Sequence, residues 1–129
     1  MIGLLLITHN HLGEALLETA NKMFDGAPLP VEILPVNYDC NPDRLKLLAR
    51  AAVDRLDGGQ GVLVLTDMYG STPSNIAHGL AEDGRVNVIS GINLPMLVRT
   101  LNYQTLDLVS LTEKAVSGGR EGIQCCGSD

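Results

Sequence analysis

Hydrophobic residues in this chain fall into four short aliphatic runs that alternate with longer segments of helical periodicity. The runs have the length and composition of β-strands and cover residues 1–7, 31–37, 61–67 and 85–91. In the segments between and after them, apolar residues recur every three or four positions, which predicts helices over residues 13–24, 41–56, 71–83, 95–103 and 105–119. A chain in which short strands alternate with helices is typical of an α/β domain.

Several residues indicate how these elements are arranged. Residues 61–67 form the most continuous apolar run, which predicts a central strand buried on both faces. Pro35, in the second run, has no N–H for a sheet ladder and therefore favours an edge strand. Asn41 and Pro42 predict the cap and the first residue of the second helix. A helix that connects two parallel strands of one sheet makes a right-handed crossover. We therefore predict a single α/β domain over residues 1–129. Its mainly parallel four-stranded sheet has the order 2-1-3-4, with helices on both faces.

Composition and charge restrict the partners that this domain is expected to have. The chain is 45% hydrophobic and 19% charged, as in ordinary globular proteins, and its net charge of −6 argues against nucleic acid or an anionic membrane as the main partner. The first apolar run lacks a basic leader and is too short to span a bilayer, so neither a signal peptide nor direct membrane insertion is expected. The cysteines, Cys40, Cys125 and Cys126, are odd in number, which favours reduced thiols in a cytoplasmic protein, and no zinc-ligand spacing predicts a metal.

The predicted topology brings two polar strand endings to one place. In the order 2-1-3-4 the chain reverses direction between strands 1 and 3, and open α/β sheets bind ligands at such a switch point. Strand 1 ends at His9 and strand 3 ends at Asp67. A carboxylate that holds one ring nitrogen of a neutral histidine leaves the other nitrogen as a nucleophile. His9 and Asp67 are therefore the predicted catalytic pair.

The segment TDMYGSTPSN, which follows strand 3, predicts a site for an anion. Gly70 permits a tight turn, Ser71 and Thr72 supply hydroxyl groups, and Pro73 has the expected first position of a helix. Main-chain N–H groups at a helix N-terminus, together with hydroxyl groups, favour phosphate. Taken alone, the segment is also compatible with a plain helix cap that binds nothing.

Three stretches resemble the mannose-family IIA domain of the bacterial phosphoenolpyruvate-dependent phosphotransferase system: LLLITHNHLGEAL, GVLVLTDMYGSTPSNIA and SGINLPMLVRTL. With the closing SGGREGI, the likeness extends to about Ile123. The resemblance implies a cytoplasmic phospho-carrier without a cofactor, in which His9 accepts phosphate from phospho-HPr. The phosphate then passes to a IIB component that serves a IIC/IID membrane permease. The resemblance implies that Asp67 orients His9 and that Thr72 holds the phosphoryl group. Ser71 and Gly70, in the same turn, are further candidate phosphate-binding residues.

The resemblance also implies contacts with other proteins. The loops after strands 3 and 4 are expected to face the same way, and their candidate partner-docking residues are Tyr69, Asn93, Pro95 and Met96. The loop over residues 90–97 is equally compatible with a plain connection between a strand and a helix. The family is typically a homodimer in which a C-terminal strand is exchanged between subunits. The tail over residues 119–129, which contains EGIQCC, is the segment expected to form that strand here.

This sequence departs from the family pattern at several positions. Ser71 occupies the position of a second glycine in the usual turn. Asn10 follows the histidine where glycine is common, and asparagine is the expected substitute in a left-handed conformation. His11 has no counterpart and is predicted to be exposed at the start of the first helix, and His78 is predicted to be a surface residue.

Three other functions stay open from the sequence. In a stand-alone regulatory IIA protein, phosphorylation of His9 would control binding of a regulatory partner instead of sugar uptake, and a chain that ends without a linker and a IIB domain is compatible with this. A related function is that of the similar subunit that phosphorylates the nucleotide of a dihydroxyacetone kinase. A nucleotide- or flavin-binding domain is less favoured, because no G-x-G-x-x-G turn follows strand 1.

Overall fold

A parallel sheet of four strands lies at the centre of the fold in a computed structural model, which describes residues 1–25 and 29–127. The strands are β1 (Gly3–His9), β2 (Val31–Val36), β3 (Val62–Thr66) and β4 (Val86–Ser90). The helices are α1 (Leu12–Met23), α2 (Pro42–Leu56), α3 (Thr72–His78), α4 (Leu94–Asn102) and α5 (Leu108–Glu121). Each predicted strand and helix of the α/β alternation is therefore present.

The sheet has the order β2-β1-β3-β4, and all three strand pairs are parallel. This confirms the predicted order and the edge position of Pro35, which pairs in register with Thr8. Every residue of β3 is buried, as expected for a central strand. Because neighbouring strands run in the same direction, β1, β3 and β4 all end at the same edge of the sheet, at His9, Thr66 and Ser90.

Alternate side chains of the central strands pack into two hydrophobic clusters, one on each face of the sheet. Leu4 and Leu6 point to the face that α1, α4 and α5 cover, whereas Leu5 and Ile7 point to the face that α2 and α3 cover. All four leucine and isoleucine side chains are fully buried. Helices therefore lie on both faces, as predicted, and β1 is held rigidly up to its last residue.

Helix α3 is shorter than the 71–83 predicted for it and ends at His78. A turn follows, and Glu82 then forms an antiparallel bridge with Val86. The N–H of Glu82 donates to Val86 O at 3.1 Å, and the N–H of Val86 donates to Glu82 O at 2.8 Å. The N–H of Glu82 is therefore not available for a hydrogen bond within a helix that continues to residue 83. Gly79 at the helix end adds to this effect, because glycine has low helix propensity.

Helix α5 begins three residues later than the predicted 105–119 and runs over Leu108–Glu121. The reason is a side-chain cap, since the carboxylate of Asp107 accepts the N–H of Ser110 at 2.8 Å. Hydrogen bonding from Ser110 also holds the pKa of Asp107 below its ordinary value. A cap at Asp107 defines the start of the helix more strongly than the apolar periodicity of the preceding residues.

Up to residue 127, the last one that the structure describes, the predicted C-terminal strand is not formed within this single chain. Residues 123–127 have no strand structure in the part of the chain that is described, and residues 128 and 129 of the tail lie outside the described residues. An exchanged strand needs a second copy with which to pair. Exchange of the tail in a dimer therefore stays a prediction.

We expect Asn41→Ala to lower the free energy of unfolding by about 1 kcal/mol. The Asn41 side-chain oxygen accepts the N–H of Asp43 at 3.0 Å and of Arg44 at 3.3 Å, which confirms the predicted cap of α2. Alanine leaves both N–H groups without this acceptor. Urea denaturation of the variant measures the loss, and Asn41→Ser, which can still cap, should retain most of the stability. Equal stability of wild type and Asn41→Ala would contradict the expectation.

Candidate functional site

His9 and Asp67 are joined by two hydrogen bonds at the carboxyl ends of β1 and β3. The imidazole Nδ1 of His9 lies 2.8 Å from Asp67 Oδ2, and the main-chain N–H of His9 donates to the same oxygen at 2.9 Å. The other carboxylate oxygen, Oδ1, accepts the N–H of Met68 at 2.8 Å. The structure thus brings together the two residues that the sequence places at the switch point of the sheet.

Burial and hydrogen bonding act in opposite directions on the Asp67 carboxyl group. The side chain is only 10% exposed, and this burial raises its pKa. The hydrogen bonds from His9 and from the N–H of Met68 favour the ionised form, and together they outweigh burial. The pKa of Asp67 therefore lies below the ordinary aspartate value, and the group is a carboxylate at neutral pH.

An ionised Asp67 determines which ring nitrogen of His9 carries a proton. A carboxylate only accepts hydrogen bonds, so the Nδ1 that lies 2.8 Å away must be the donor. In a neutral imidazole the second nitrogen, Nε2, then has a free lone pair. Since the His9 side chain is 43% exposed, a reactant from solution can reach the ring. This is the geometry of a histidine nucleophile held in one tautomer.

A cleft of about 270 Å³ opens beside His9. Its walls come from the ends of β1 and β2 and from the start of α3, and consist of His9, Asn10, Val36, Asn37, Tyr38, Cys40, Thr72 and Pro73. Sequence reasoning placed His9 and Thr72 here but missed the contribution of Asn37, Tyr38 and Cys40. The signal was available, because the predicted order puts strand 2 beside strand 1, so the residue after each strand should border the same cleft.

The two residues after His9 have the conformations expected from the sequence. Asn10 has a φ of 46°, in the left-handed region, and its N–H donates to Val36 O at 3.0 Å. This tight exit turns the chain into α1 directly after His9. The side chain of His11 is 82% exposed and lies 3.5 Å from a carboxylate oxygen of Glu14. His11 does not line the cleft of His9.

In the loop from β3 to α3, the hydroxyl-bearing residues Ser71 and Thr72 have different surroundings. Gly70 has a φ of 88°, which confirms the predicted tight turn. The hydroxyl of Ser71 donates to Met68 O at 2.6 Å and does not cap the helix, and Ser71 is not among the residues that line the cleft. Thr72 is the first residue of α3 and lines the cleft, so Pro73 takes the second helical position instead of the expected first one.

The four residues implied to dock partners differ greatly in exposure. Tyr69 is 78% exposed, whereas Met96 is 4% exposed and packs in the core. Asn93 caps α4 by accepting the N–H of Met96 at 2.9 Å, and its amide donates to Gly119 O at 3.0 Å. Pro95 lines a separate groove between α1 and α4. Of the four, Tyr69 offers a partner the largest exposed side chain.

Among residues 1–25 and 29–127, no helix has the length and apolar character needed to cross a membrane. Within the same residues, no group of three or more His, Cys, Asp or Glu side chains is arranged to hold a metal ion.

Comparison with known proteins identifies relatives of nearly the whole chain. A family model described as "PTS system fructose IIA component" matches residues 3–116. The "PTS system mannose-specific EIIAB component" of Escherichia coli K12 is 35% identical over 126 residues, which cover 95% of this chain and 39% of that protein. The chain thus spans less than half the length of the mannose-specific EIIAB relatives that it matches in E. coli. The "PTS system fructose-specific EIIA component" of Bacillus subtilis is 27% identical over 128 residues, which cover 98% of this chain and 87% of that protein.

Solved structures have the same fold. A phosphotransferase system component EIIA from Streptococcus agalactiae superimposes with a TM-score of 0.83 at 24% identity, covering 97% of both chains. A PTS IIA protein associated with the fucose utilisation operon of Streptococcus pneumoniae has a TM-score of 0.79 at 27% identity, covering 95% of this chain and 91% of that one. These likenesses extend over the sheet and all five helices.

We expect Asp67→Asn to lower the free energy of unfolding at neutral pH by about 1 to 3 kcal/mol, because hydrogen bonds to a charged acceptor are stronger than those to an amide. The pKa of Asp67 is lower in the folded protein than in the unfolded chain. Its stabilisation is therefore complete above the ordinary aspartate pKa of about 3.9 and is lost as the pH falls through the lower folded-state value.

The difference in stability between wild type and Asp67→Asn should consequently shrink below about pH 4. Urea denaturation at neutral pH and at a series of acidic pH values measures it. Asp83→Asn is the matched control, because Asp83 is exposed and lies outside the site. A difference between wild type and Asp67→Asn that does not depend on pH would contradict the assigned ionisation.

Proposed function

The chain belongs to the PTS fructose IIA family, the fructose and mannose type of IIA component, and from this premise we propose that it is a phospho-carrier in which His9 receives and transfers the phosphoryl group. The observation that carries the proposal is the 2.8 Å hydrogen bond between His9 Nδ1 and Asp67. It leaves Nε2 as the nucleophile. We propose phospho-HPr as the donor and a IIB protein as the acceptor, in the cytoplasm.

The proposed reaction is an in-line transfer between histidines of two docked proteins. The lone pair of His9 Nε2 attacks the phosphorus of the donor phosphohistidine, and a new N–P bond forms as the N–P bond of the donor breaks. The donor ring recovers the electron pair of that bond. Such transfer depends on positioning and charge stabilisation, so the protein needs no further covalent chemistry.

Asp67 has two functions in this proposal. In the neutral ring it keeps the proton of His9 on Nδ1, so that Nε2 presents its lone pair. Once His9 is phosphorylated, the imidazole ring becomes positively charged, and the ionised carboxylate 2.8 Å from Nδ1 stabilises this charge. Transfer to the acceptor reverses these changes.

The phosphoryl oxygens are proposed to lie against the start of α3. Thr72 lines the cleft of His9, and its hydroxyl is the group that we propose donates to these oxygens. Nearby N–H groups of the first helical turn have no partner within the helix and can donate as well. Ser71 and Gly70 shape the loop that leads to Thr72, with the Ser71 hydroxyl already bonded to Met68 O.

Docking and assembly extend this proposal. Tyr69, on the exposed loop between Asp67 and Thr72, is proposed to contact both the donor and the acceptor. Asn93 and Pro95, at the start of α4, remain further docking candidates, whereas Met96 is buried in the core, which corrects the expectation that it docks a partner. The protein is proposed to be a homodimer that exchanges its C-terminal tail. Through the IIB protein it would supply a membrane permease, without insertion of this chain into the membrane.

We expect wild type and His11→Ala to gain one acid-labile phosphate, and His9→Ala to gain none, when each is incubated with phosphoenolpyruvate, enzyme I and HPr. The reason is that the His9 ring alone is held by Asp67 and faces the cleft. Intact-mass spectrometry measures the added phosphate. Phosphorylation of His9→Ala together with its absence in His11→Ala would refute the assignment of His9.

We expect Thr72→Ala to slow the phosphorylation of His9 by roughly 10²-fold, which is typical for the loss of one hydroxyl or amide donor to a developing charge. Ser71→Ala is the matched control in the same loop and should have a much smaller effect, because its hydroxyl already donates to Met68 O. Rapid-quench measurement of phosphate incorporation compares the two variants. The reverse ranking would remove Thr72 from its proposed role.

A further inference from the structure

The loop from β3 to α3 lies between two concave surfaces. On one side, Thr72 lines the cleft of His9. On the other, Tyr69 lines a groove of about 530 Å³ along β4 and α5, called here the Tyr69 groove, which also includes His78, Ser90, Thr112 and Arg120. The same short loop therefore carries the proposed docking side chain and the proposed phosphate-binding hydroxyl.

Within the Tyr69 groove, His78 makes two contacts that the sequence did not predict. Its Nε2 shares a hydrogen bond of 2.9 Å with the hydroxyl of Ser90. Its ring stands almost perpendicular to the ring of Tyr69, with a centroid distance of 5.5 Å and an interplanar angle of 83°. This is the edge-to-face geometry that aromatic rings prefer. His78 is exposed, as predicted, but its ring is held from both sides.

The hydrogen bond to Ser90 connects this contact to the central sheet. Ser90 is the last residue of β4 and pairs in register with Thr66 of the fully buried strand β3. His78 is the last residue of α3. The His78 ring is thus attached to a rigid strand end, and Tyr69, whose side chain is otherwise largely exposed, rests against it.

We propose that His78, oriented by Ser90, is a positioning residue that holds Tyr69 ready to dock the phosphoryl donor. The inference rests on the function proposed above and adds to it a residue outside the cleft of His9. An exposed tyrosine that rotates freely must be ordered when a partner binds, and this ordering weakens binding. A ring held beforehand by His78 avoids that cost, so His78 acts on the affinity for the donor protein and not on the chemical step.

The test is steady-state phosphorylation of His9 with phospho-HPr as the varied substrate. We expect His78→Ala to raise KM for phospho-HPr by roughly two- to tenfold, the effect that an aromatic edge contact can account for, with little change in kcat. Ser90→Ala should give a smaller increase, because the ring remains but loses its anchor. In a Tyr69→Ala background, His78→Ala should add nothing, since its effect passes through Tyr69.

A spectroscopic measurement detects the positioning itself. The chain has three tyrosines and no tryptophan, so the ring signals of Tyr69 can be assigned by NMR with Tyr69→Phe. We expect those signals to shift in His78→Ala and in Ser90→Ala. His11→Ala is the matched control: it also removes an exposed imidazole, and it should change neither the Tyr69 signals nor KM.

The inference is overturned if His78→Ala accepts phosphate with an unchanged KM, or if it leaves the Tyr69 signals where they are in wild type. An unchanged KM in Tyr69→Ala overturns it as well, because His78 would then hold a ring that docks nothing. Failure of wild-type His9 to accept any phosphate would instead overturn the proposed function, and this inference with it. The two failures are therefore distinguishable.

Discussion

One carboxylate oxygen, Asp67 Oδ2, accepts two hydrogen bonds from the end of the neighbouring strand, and the rest of the site depends on it. The main-chain N–H of His9 joins β1 to the residue that follows β3, and the Nδ1–H of the same residue fixes the imidazole. Backbone and side chain are therefore held by a single acceptor. Because both strands are buried up to this point, neither end can move independently of the other.

The sheet brings His9 and Asp67 together, and the loops that follow the strands leave the imidazole accessible and place Thr72 beside it. Asn10 leaves the strand in a left-handed conformation, so the chain turns away directly after His9 and the ring stays 43% exposed. Gly70 turns the opposite loop so that α3 begins with Thr72 at the wall of the cleft. The Asp67 carboxylate is buried and ionised, whereas the imidazole that it holds is accessible to a reactant from solution.

Much of this arrangement was predictable from single residues whose physical restrictions are local. Pro35 cannot donate to a ladder, and it is indeed in the edge strand. Asn41 caps α2, and Asn10 has the positive φ that its position requires. The prediction was wrong where a nonlocal or competing contact decides the outcome. The bridge between Glu82 and Val86 shortens α3, and the Asp107 cap delays the start of α5.

The sequence by itself determined the α/β alternation, the strand order and the meeting of His9 with Asp67, because apolar periodicity, chirality of crossovers and strand endings are properties of the chain order. Only the tertiary structure decided which atoms meet at the rim. Asn37, Tyr38 and Cys40 border the cleft of His9 because β2 lies beside β1. His78 contacts Tyr69 and Ser90 because α3 packs against β3 and β4. Such contacts join side chains from separate elements, and no periodicity along the chain encodes their distance or angle.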